Sequence, residues 1–402
     1  MLVTMATFWG GFRTSEAAPS RAWPRIRLAS VAALWLLLLL LGAPARADCE
    51  CGYAARVGND TEPQLFTDLL ETDFSRVGDM SLVSTDWTRQ AFNVTRERAR
   101  GRHGEMFAVA NARANPDRDP AARTGVGLNG GRAAGLELVV GSARVDGMVP
   151  VAEVDSARMD LLWGTYRVGM KLTGVPGTCA AFFWYHNDTQ EIDMEFLTRE
   201  FNASSGTFPV NLVLQSRAAV EAGYDAQATG NFRKVNLPFD PTADFHEYRI
   251  DFLEGRVVFY ADGQVLAEMG GAAVPDRGGH LILQHWSNGN PLWSGGPPPR
   301  DAVLTVSYVR AYFNSSAPAP ARQGDRAGRC ADVGAPGAVC QIPSAPDVRN
   351  PVFFTAVGNM TNNQTVSGDP GPAGGQSGSP RVVSSVGLVV VVAASALAVL
   401  GL

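Results

Sequence analysis

Between residues 136 and 313 the chain is a succession of short apolar stretches, each bounded by glycine, proline, asparagine or aspartate. No stretch sustains an apolar period of 3.6 residues, so long amphipathic helices are excluded as the scaffold. Residues 136–140, 163–172, 180–185, 208–215, 247–252, 256–260, 280–286 and 302–313 read as strands, and 91–94 and 105–109 as shorter ones before them. Asp262-Gly263, between 256–260 and Gln264-Val265-Leu266, is a two-residue hairpin signal, because both residues tolerate the left-handed backbone that such a turn needs. The 43 glycines and 25 prolines supply the many turns this demands. Regularly spaced short strands of this kind make an all-β sandwich or jelly roll.

Within that rhythm one strand is unlike the others. In Gln190-Glu191-Ile192-Asp193-Met194-Glu195-Phe196 acid and apolar residues alternate, so an extended backbone puts Glu191, Asp193 and Glu195 on one face and Ile192, Met194 and Phe196 on the other. Three carboxylates on one strand face repel one another and favour neither strand nor core, so folding alone gives them no reason. A helix would leave Glu191 and Glu195 as a repelling i,i+4 pair, and the strand-like flanks disfavour it. A calcium loop lacks its glycine and polar positions here. What remains is chemistry: a carboxylate pair able to cleave a glycosidic bond, with the middle acid raising the pKa of whichever neighbour must hold a proton.

The two ends of the chain carry a different pattern. Arg13, Arg21, Arg25 and Arg27 precede an apolar run, 31–41, and then Ala45-Arg46-Ala47, the outline of a signal peptide over residues 1–47. An uncleaved anchor is the alternative, although the run is shorter than the ~20 residues a membrane span needs. After Arg381 no charge remains, and residues 381–402 form an apolar tail behind the small residues Gly374, Gly375, Ser377, Gly378 and Ser379, as in a GPI-attachment signal. The sequons at Asn59, Asn93, Asn187, Asn202, Asn314, Asn359 and Asn363 fit the same secretory route. Residues 48–314 are expected to form the jelly-roll domain. Residues 315–380, rich in Ala, Pro, Gly and Ser, are expected to form a stalk broken by the Cys330–Cys340 segment.

Cys49, Cys51, Cys330 and Cys340 can pair in three ways in an oxidising compartment; cross-pairing ties the two ends of the domain together, and local pairing of Cys330 with Cys340 is the plainer reading. Cys179, alone in an apolar strand, reads as a buried thiol. No His or Cys cluster has zinc-site spacing, so neither metal nor cofactor is expected. A net charge of −5 with scattered basic residues gives no nucleic-acid footprint.

Glu191-Ile192-Asp193-Met194-Glu195-Phe196 resembles the active-site signature of glycoside hydrolase family 16. Phe245-His246-Glu247-Tyr248, the hairpin at Asp262-Gly263 and the closing strand 303–313 follow in matching order, so the likeness runs over residues 91–313 and is nearest to secreted fungal members. The resemblance implies a concanavalin A-like jelly-roll sandwich of two curved antiparallel sheets with the acids on a concave cleft. By position it makes Glu191 the nucleophile, Asp193 the assisting acid and Glu195 the general acid/base. Laminarinase-type members carry one extra residue before the second Glu. This chain lacks it and is more similar to the lichenase and transglycosylase branches.

Sugar rings stack on aromatic faces, so Trp184, which falls where the family often places a stacking tryptophan, is a candidate substrate contact. His285, Trp286, Asn288 and Trp293 are others, at the end of a strand and in the loop behind it. His246 is expected to be structural. The expectation is a monomeric retaining endo-β-glucanase or transglycosylase acting on cell-wall β-glucan, GPI-anchored at the plasma membrane or cell wall. The alternative, from another class, is a carbohydrate-binding surface protein that has lost catalysis on the same fold.

Overall fold

The computed structural model describes residues 49–80, 86–115, 133–317, 330–356 and 365–367. The leader 1–47, the sequons at Asn359 and Asn363 and the tail 381–402 lie outside these. The described residues form a jelly-roll sandwich of concanavalin A type.

Its first sheet orders Phe232–Asn236, Pro209–Ser216, Gln190–Leu197, Cys179–Asn187, His280–Trp286, Met148–Ser156, Gly104–Phe107 and Phe92–Val94, with Trp87–Arg89 joined to Met148–Ser156. The second orders Gln264–Gly270, Arg256–Ala261, His246–Leu253, Leu161–Lys171, Ala302–Ser315 and Asp68–Asp73, with Gly135–Val140 on the far end of Ala302–Ser315. Pairing is antiparallel almost throughout; Gly104–Phe107 runs parallel to Met148–Ser156.

The apolar face of the acidic strand explains why the sandwich closes. Ile192, Met194 and Phe196 are fully buried in one core with Tyr166, Met170, Tyr248 and Ile250 of the opposing sheet, and the Phe196 and Tyr248 rings meet at 4.7 Å. Burying each such side chain is worth about 1.5–3 kcal/mol, enough for the strand to carry carboxyls on its other face. The Asp262-Gly263 hairpin forms as the sequence demands, with φ of 46° and 76°. Asp262 then fixes the neighbouring strand, accepting from the Glu247 N–H at 2.9 Å and meeting His246 Nδ1 at 2.7 Å. His246 also stacks on Phe239 at 3.6 Å, a supporting role.

Three expectations need correction. The stretch before Trp87, in which the sequence pattern marks no strand, supplies strands Gly52–Ala55, Gln64–Phe66 and Asp68–Asp73. Local pairing of Cys330 with Cys340 is replaced by cross-pairing: Cys49 bonds Cys340 and Cys51 bonds Cys330. Nor are residues 330–356 a stalk. Val339–Gln341 pairs with Gly52–Ala55 in a small third sheet, and the chain beyond it lies on the outer face of the second sheet.

The reason is a row of buried arginines on that face. Arg249, Arg167 and Arg310 are adjacent across three strands, and all are nearly inaccessible. Glu247 and Asp251 compensate part of the charge, with Arg249 Nε donating to Asp251 Oδ1 at 2.7 Å. Each guanidinium also donates to a main-chain carbonyl of the covering segments: Arg249 to Arg56, Arg167 to Pro343, Arg310 to Val352. A buried guanidinium without acceptors is costly, so the sheet needs both terminal segments in place.

Candidate active site

The polar face of the acidic strand looks away from the core, on the outer side of the first sheet. Register fixes each acid's neighbours: Glu191 lies between Tyr185 and Gln215, Asp193 between Phe183 and Val213, Glu195 between Ala181 and Asn211. No bulge interrupts the pairing from Glu191 to Glu195. Farther along the same face the strands contribute Ile282, Gln284 and Trp286, then Glu153 and Asp155, then Glu105.

Although they face outward, the three acids are only 4%, 5% and 6% exposed for Glu191, Asp193 and Glu195. Side chains from the surrounding loops close over them. The Arg100 guanidinium, from the loop after the short helix Arg96–Ala99, stacks 4.2 Å over the Tyr224 ring, which comes from the loop on the opposite side of the acidic strand. Tyr224 and Tyr185 both donate to Asp188, at 3.2 and 2.7 Å. The Arg100 loop is held in turn by residues 288–290: Asn288 Nδ2 donates to the Ala99 carbonyl at 2.6 Å, and His103 N to the Asn288 carbonyl at 2.8 Å. At Gly101 a Cβ would sit 2.3 Å from that same carbonyl, so no other residue fits.

Burial sets the electrostatics. Glu191 is pushed well above the ordinary carboxyl range by loss of water, then by the charges of Asp193 and Glu195. Asp193 is raised by burial and by Glu195, and a hydrogen bond with Glu191 pulls it back in part while raising Glu191. Glu195 is pushed up to about 7 by burial, against the pull of donors from Trp293 and Cys179 and of the Arg100 charge. Trp293 Nε1 donates to Glu195 Oε1 at 3.2 Å, and Cys179 Sγ lies 3.6 Å from the same oxygen. Glu105, beneath the far end of the face, is raised to about 8 by burial and by the Glu153 charge.

Several side chains here have unspent hydrogen-bonding capacity. Both amide atoms of Asn211 and of Gln215, Glu191 Oε2 and Trp286 Nε1 are buried without a protein partner. Buried polar atoms are nearly always bonded, so this concentration beside three acids marks a surface shaped for a hydroxyl-rich ligand. Among the described residues no group of three or more His, Cys, Asp or Glu side chains could hold a metal ion.

The five aromatic and amide candidates are placed unevenly. Trp184 points into the core, where it packs on Phe252 at 4.9 Å and donates from Nε1 to the Leu161 carbonyl at 3.0 Å. It alternates out of phase with the acid face, so it cannot stack on a ligand there. His285 is likewise out of phase; both ring nitrogens are engaged, with the Leu138 carbonyl at 2.8 Å and Thr178 Oγ1 at 2.9 Å, and burial lowers its pKa to about 4. Asn288 spends its amide on the loop, since its Oδ1 accepts from Asn290 N and Ser294 Oγ. Trp293 bonds an acid. Trp286 shares the acid face and lies in one apolar cluster with Trp293 and Cys179.

Sequence reading missed Arg100, Tyr224, Glu105, Glu153, Asp155, Asn211 and Gln215 as members of the face. A signal existed for four of them: Glu153 and Asp155 two residues apart, and Asn211 and Gln215 four apart, are polar residues in one phase of largely apolar strands. Arg100 and Tyr224 come from loops whose meeting no pattern announces.

Residues 149–296 match the family model described as Glycosyl hydrolases family 16. Over this segment, which is less than half of the chain, it is similar to glycosyl hydrolase family 16. The family 16 segment contains the acidic strand, both neighbouring strands and Trp293. Among curated proteins it is similar to a beta-glucanase of Paenibacillus polymyxa, 29% identical over 140 residues, covering 33% of this chain and 52% of that protein. It is also similar to "Probable xyloglucan endotransglucosylase/hydrolase protein 7" of Arabidopsis thaliana, 36% identical over 103 residues, covering 24% of this chain and 31% of that one. Congo red hypersensitive protein 1 of Saccharomyces cerevisiae is 24% identical over 159 residues, covering 37% and 29%. The chain thus spans about half the length of the bacterial relative and less of the other two.

Proposed function

We propose that this chain is a retaining glycosidase or transglycosylase of β-glucan, with Glu191 as nucleophile, Asp193 as assisting acid and Glu195 as general acid/base. The observation that carries the reading is the uninterrupted acid row in which Glu191, Asp193 and Glu195 share one buried face while Glu195 is tied to separate donors. In the reactive form Asp193 carries a proton and donates it as a hydrogen bond to Glu191, which leaves Glu191 ionised. Glu195, with its pKa near 7, is protonated at mildly acidic pH and gives its proton to the glycosidic oxygen as Glu191 bonds the anomeric carbon and the C–O bond breaks. Water or a sugar hydroxyl then attacks that carbon, Glu195 takes the proton, and Glu191 is released. Two inversions leave the anomeric configuration retained.

The relatives named as beta-glucanase and as xyloglucan endotransglucosylase/hydrolase support a β-glucan substrate and leave both acceptors open. The leader pattern of 1–47, the tail 381–402 and the exposed sequons Asn59, Asn93, Asn187 and Asn202 support a secreted, GPI-anchored monomer at the cell surface, with the catalytic domain over residues 48–314 extended by the docked segment 330–356.

The test is turnover of laminarin, lichenan, xyloglucan and chitin oligomers, with the configuration of the first product read by proton NMR. The wild type is expected to give the retained anomer or a transfer product. Glu191→Gln and Glu195→Gln are expected to lower turnover by at least about a thousandfold on an unactivated glycoside. Binding with no turnover by the wild type would instead make this a lectin on the same fold.

A further inference from the structure

Glu195 is the acid whose two oxygens have unlike surroundings. Oε1 is approached by two donors from two elements: the Trp293 indole N–H at 3.2 Å from the loop after His280–Trp286, and the Cys179 thiol at 3.6 Å from the adjoining strand. Both donors are almost wholly inaccessible. Cys179 is the residue before Ala180, whose carbonyl lies 3.7 Å from the same sulfur, so the thiol has one neutral and one chargeable acceptor. The loop around Trp293 is pinned from outside, with Arg199 Nε donating to the Trp293 carbonyl at 2.5 Å and Nη2 to the Leu292 carbonyl at 2.8 Å.

We propose that Trp293 and Cys179 are positioning residues for Glu195: they hold Oε1 as a permanent acceptor and so reserve Oε2 as the oxygen that delivers and recovers the proton. This rests on the acid/base reading of Glu195 given above. A carboxyl protonated on Oε1 would lose both bonds, whereas one protonated on Oε2 keeps them, so the two tautomers are unequal in energy. When Glu195 is ionised the thiol favours the charged oxygen over the Ala180 carbonyl, which stabilises the base form used in the second half of the reaction. The thiol itself stays protonated, because burial and the neighbouring Glu195 charge raise its pKa. It therefore remains a donor and never a nucleophile at working pH.

Other groups facing Glu195 are Asp193 and Glu191 on its own strand, Asn211 across from it, and Arg100 from the loop after Arg96–Ala99, while the Glu105 charge acts on the Cys179 thiol. Their charges are common to the wild type and to the variants below, so a difference between these proteins reports the two donors.

The experiment is the pH profile of kcat/KM on β-glucan for wild type, Cys179→Val, Cys179→Ser and Trp293→Phe. Valine and phenylalanine remove a donor while keeping bulk; serine restores one. Losing a donor destabilises the ionised form, so the basic limb is expected to move upward, by about half a pH unit for Cys179→Val and about one for Trp293→Phe. Cys179→Ser is expected to bring the limb back to the wild-type position or below it. KM is expected to stay within about twofold, since neither group touches substrate in this reading. An unmoved limb in Cys179→Val and Trp293→Phe, or a shift that serine fails to reverse, overturns the proposal. If Cys179→Val does not fold, Trp293→Phe carries the same test. Glu195→Gln is the separate control: full turnover by that variant defeats the acid/base reading itself, whereas an unmoved limb beside an inactive Glu195→Gln defeats only the positioning role.

Discussion

Glu105 shows what a buried carboxyl costs when the charge of a nearby cation, Arg100, offsets its burial only in part. It is almost inaccessible, lies near Glu153, and is raised from an ordinary 4.5 to about 8. The folded state therefore keeps a proton that the unfolded chain releases near 4.5, so stability is full below that value and declines as pH rises towards about 8. Glu105→Gln holds the neutral form at every pH. Its melting temperature is expected to exceed that of the wild type by several degrees at pH 8 and to match it near about pH 5. Equal melting curves at both values would mean that Glu105 reaches water. Glu191 and Asp193 are raised by burial in the same direction.

At the scale of elements, the strand pair Cys179–Asn187 and Gln190–Leu197 divides labour strictly between its faces. Ala180, Phe182 and Trp184 go inward with Ile192, Met194 and Phe196, while Cys179, Ala181, Phe183 and Tyr185 go outward with the acids. Trp184 is thus a core residue, and the expected behaviour follows from that placement. Trp184→Ala should cost about 3–5 kcal/mol of stability through the cavity it leaves, read by denaturant unfolding. Trp184→Phe should cost less and leave KM for β-glucan within about twofold; a selective rise in KM with unchanged stability would return Trp184 to the ligand side. The loops work differently. Residues 96–103 and 287–295 bond to each other through Asn288 and Asn290, and the first reaches Tyr224 through Arg100. One short connection thereby joins the Trp293 loop to the far wall of the site.

For the molecule as a whole, the two disulfides join residues 291 and 279 positions apart, so either one closes almost the entire domain. In the chain-entropy view a closure of that length is worth about 5 kcal/mol. The second bond starts only two residues from the first and closes little further, so the pair is redundant. Cys49→Ser or Cys51→Ser alone should lower stability modestly, whereas the double variant should lose most of the closure, about 5 kcal/mol by denaturant unfolding at equal slope. Additive losses from the two single variants would show that each bond acts through local packing instead. The docked segments also cap the arginine row, so the double variant should expose Arg167 and Arg310 to water.

The acidic row, the hairpin at Asp262-Gly263, most of the strands and the all-β class were legible from alternation and turn chemistry, because those depend on neighbours one to four residues apart. The three acids share a face for the same reason, and their uninterrupted spacing was visible without a fold. Sequence could not tell which tryptophans face a ligand: Trp184 and Trp286 look alike until the phase of each strand relative to the core is known. Nor could it choose among disulfide pairings, since that choice rests on how buried guanidinium groups on one sheet find carbonyls from both ends of the chain. The surroundings of Glu195 are decided in the same way. Its pKa near 7 comes from burial, a thiol 16 residues away and an indole 98 residues away, and only tertiary structure brings those three together.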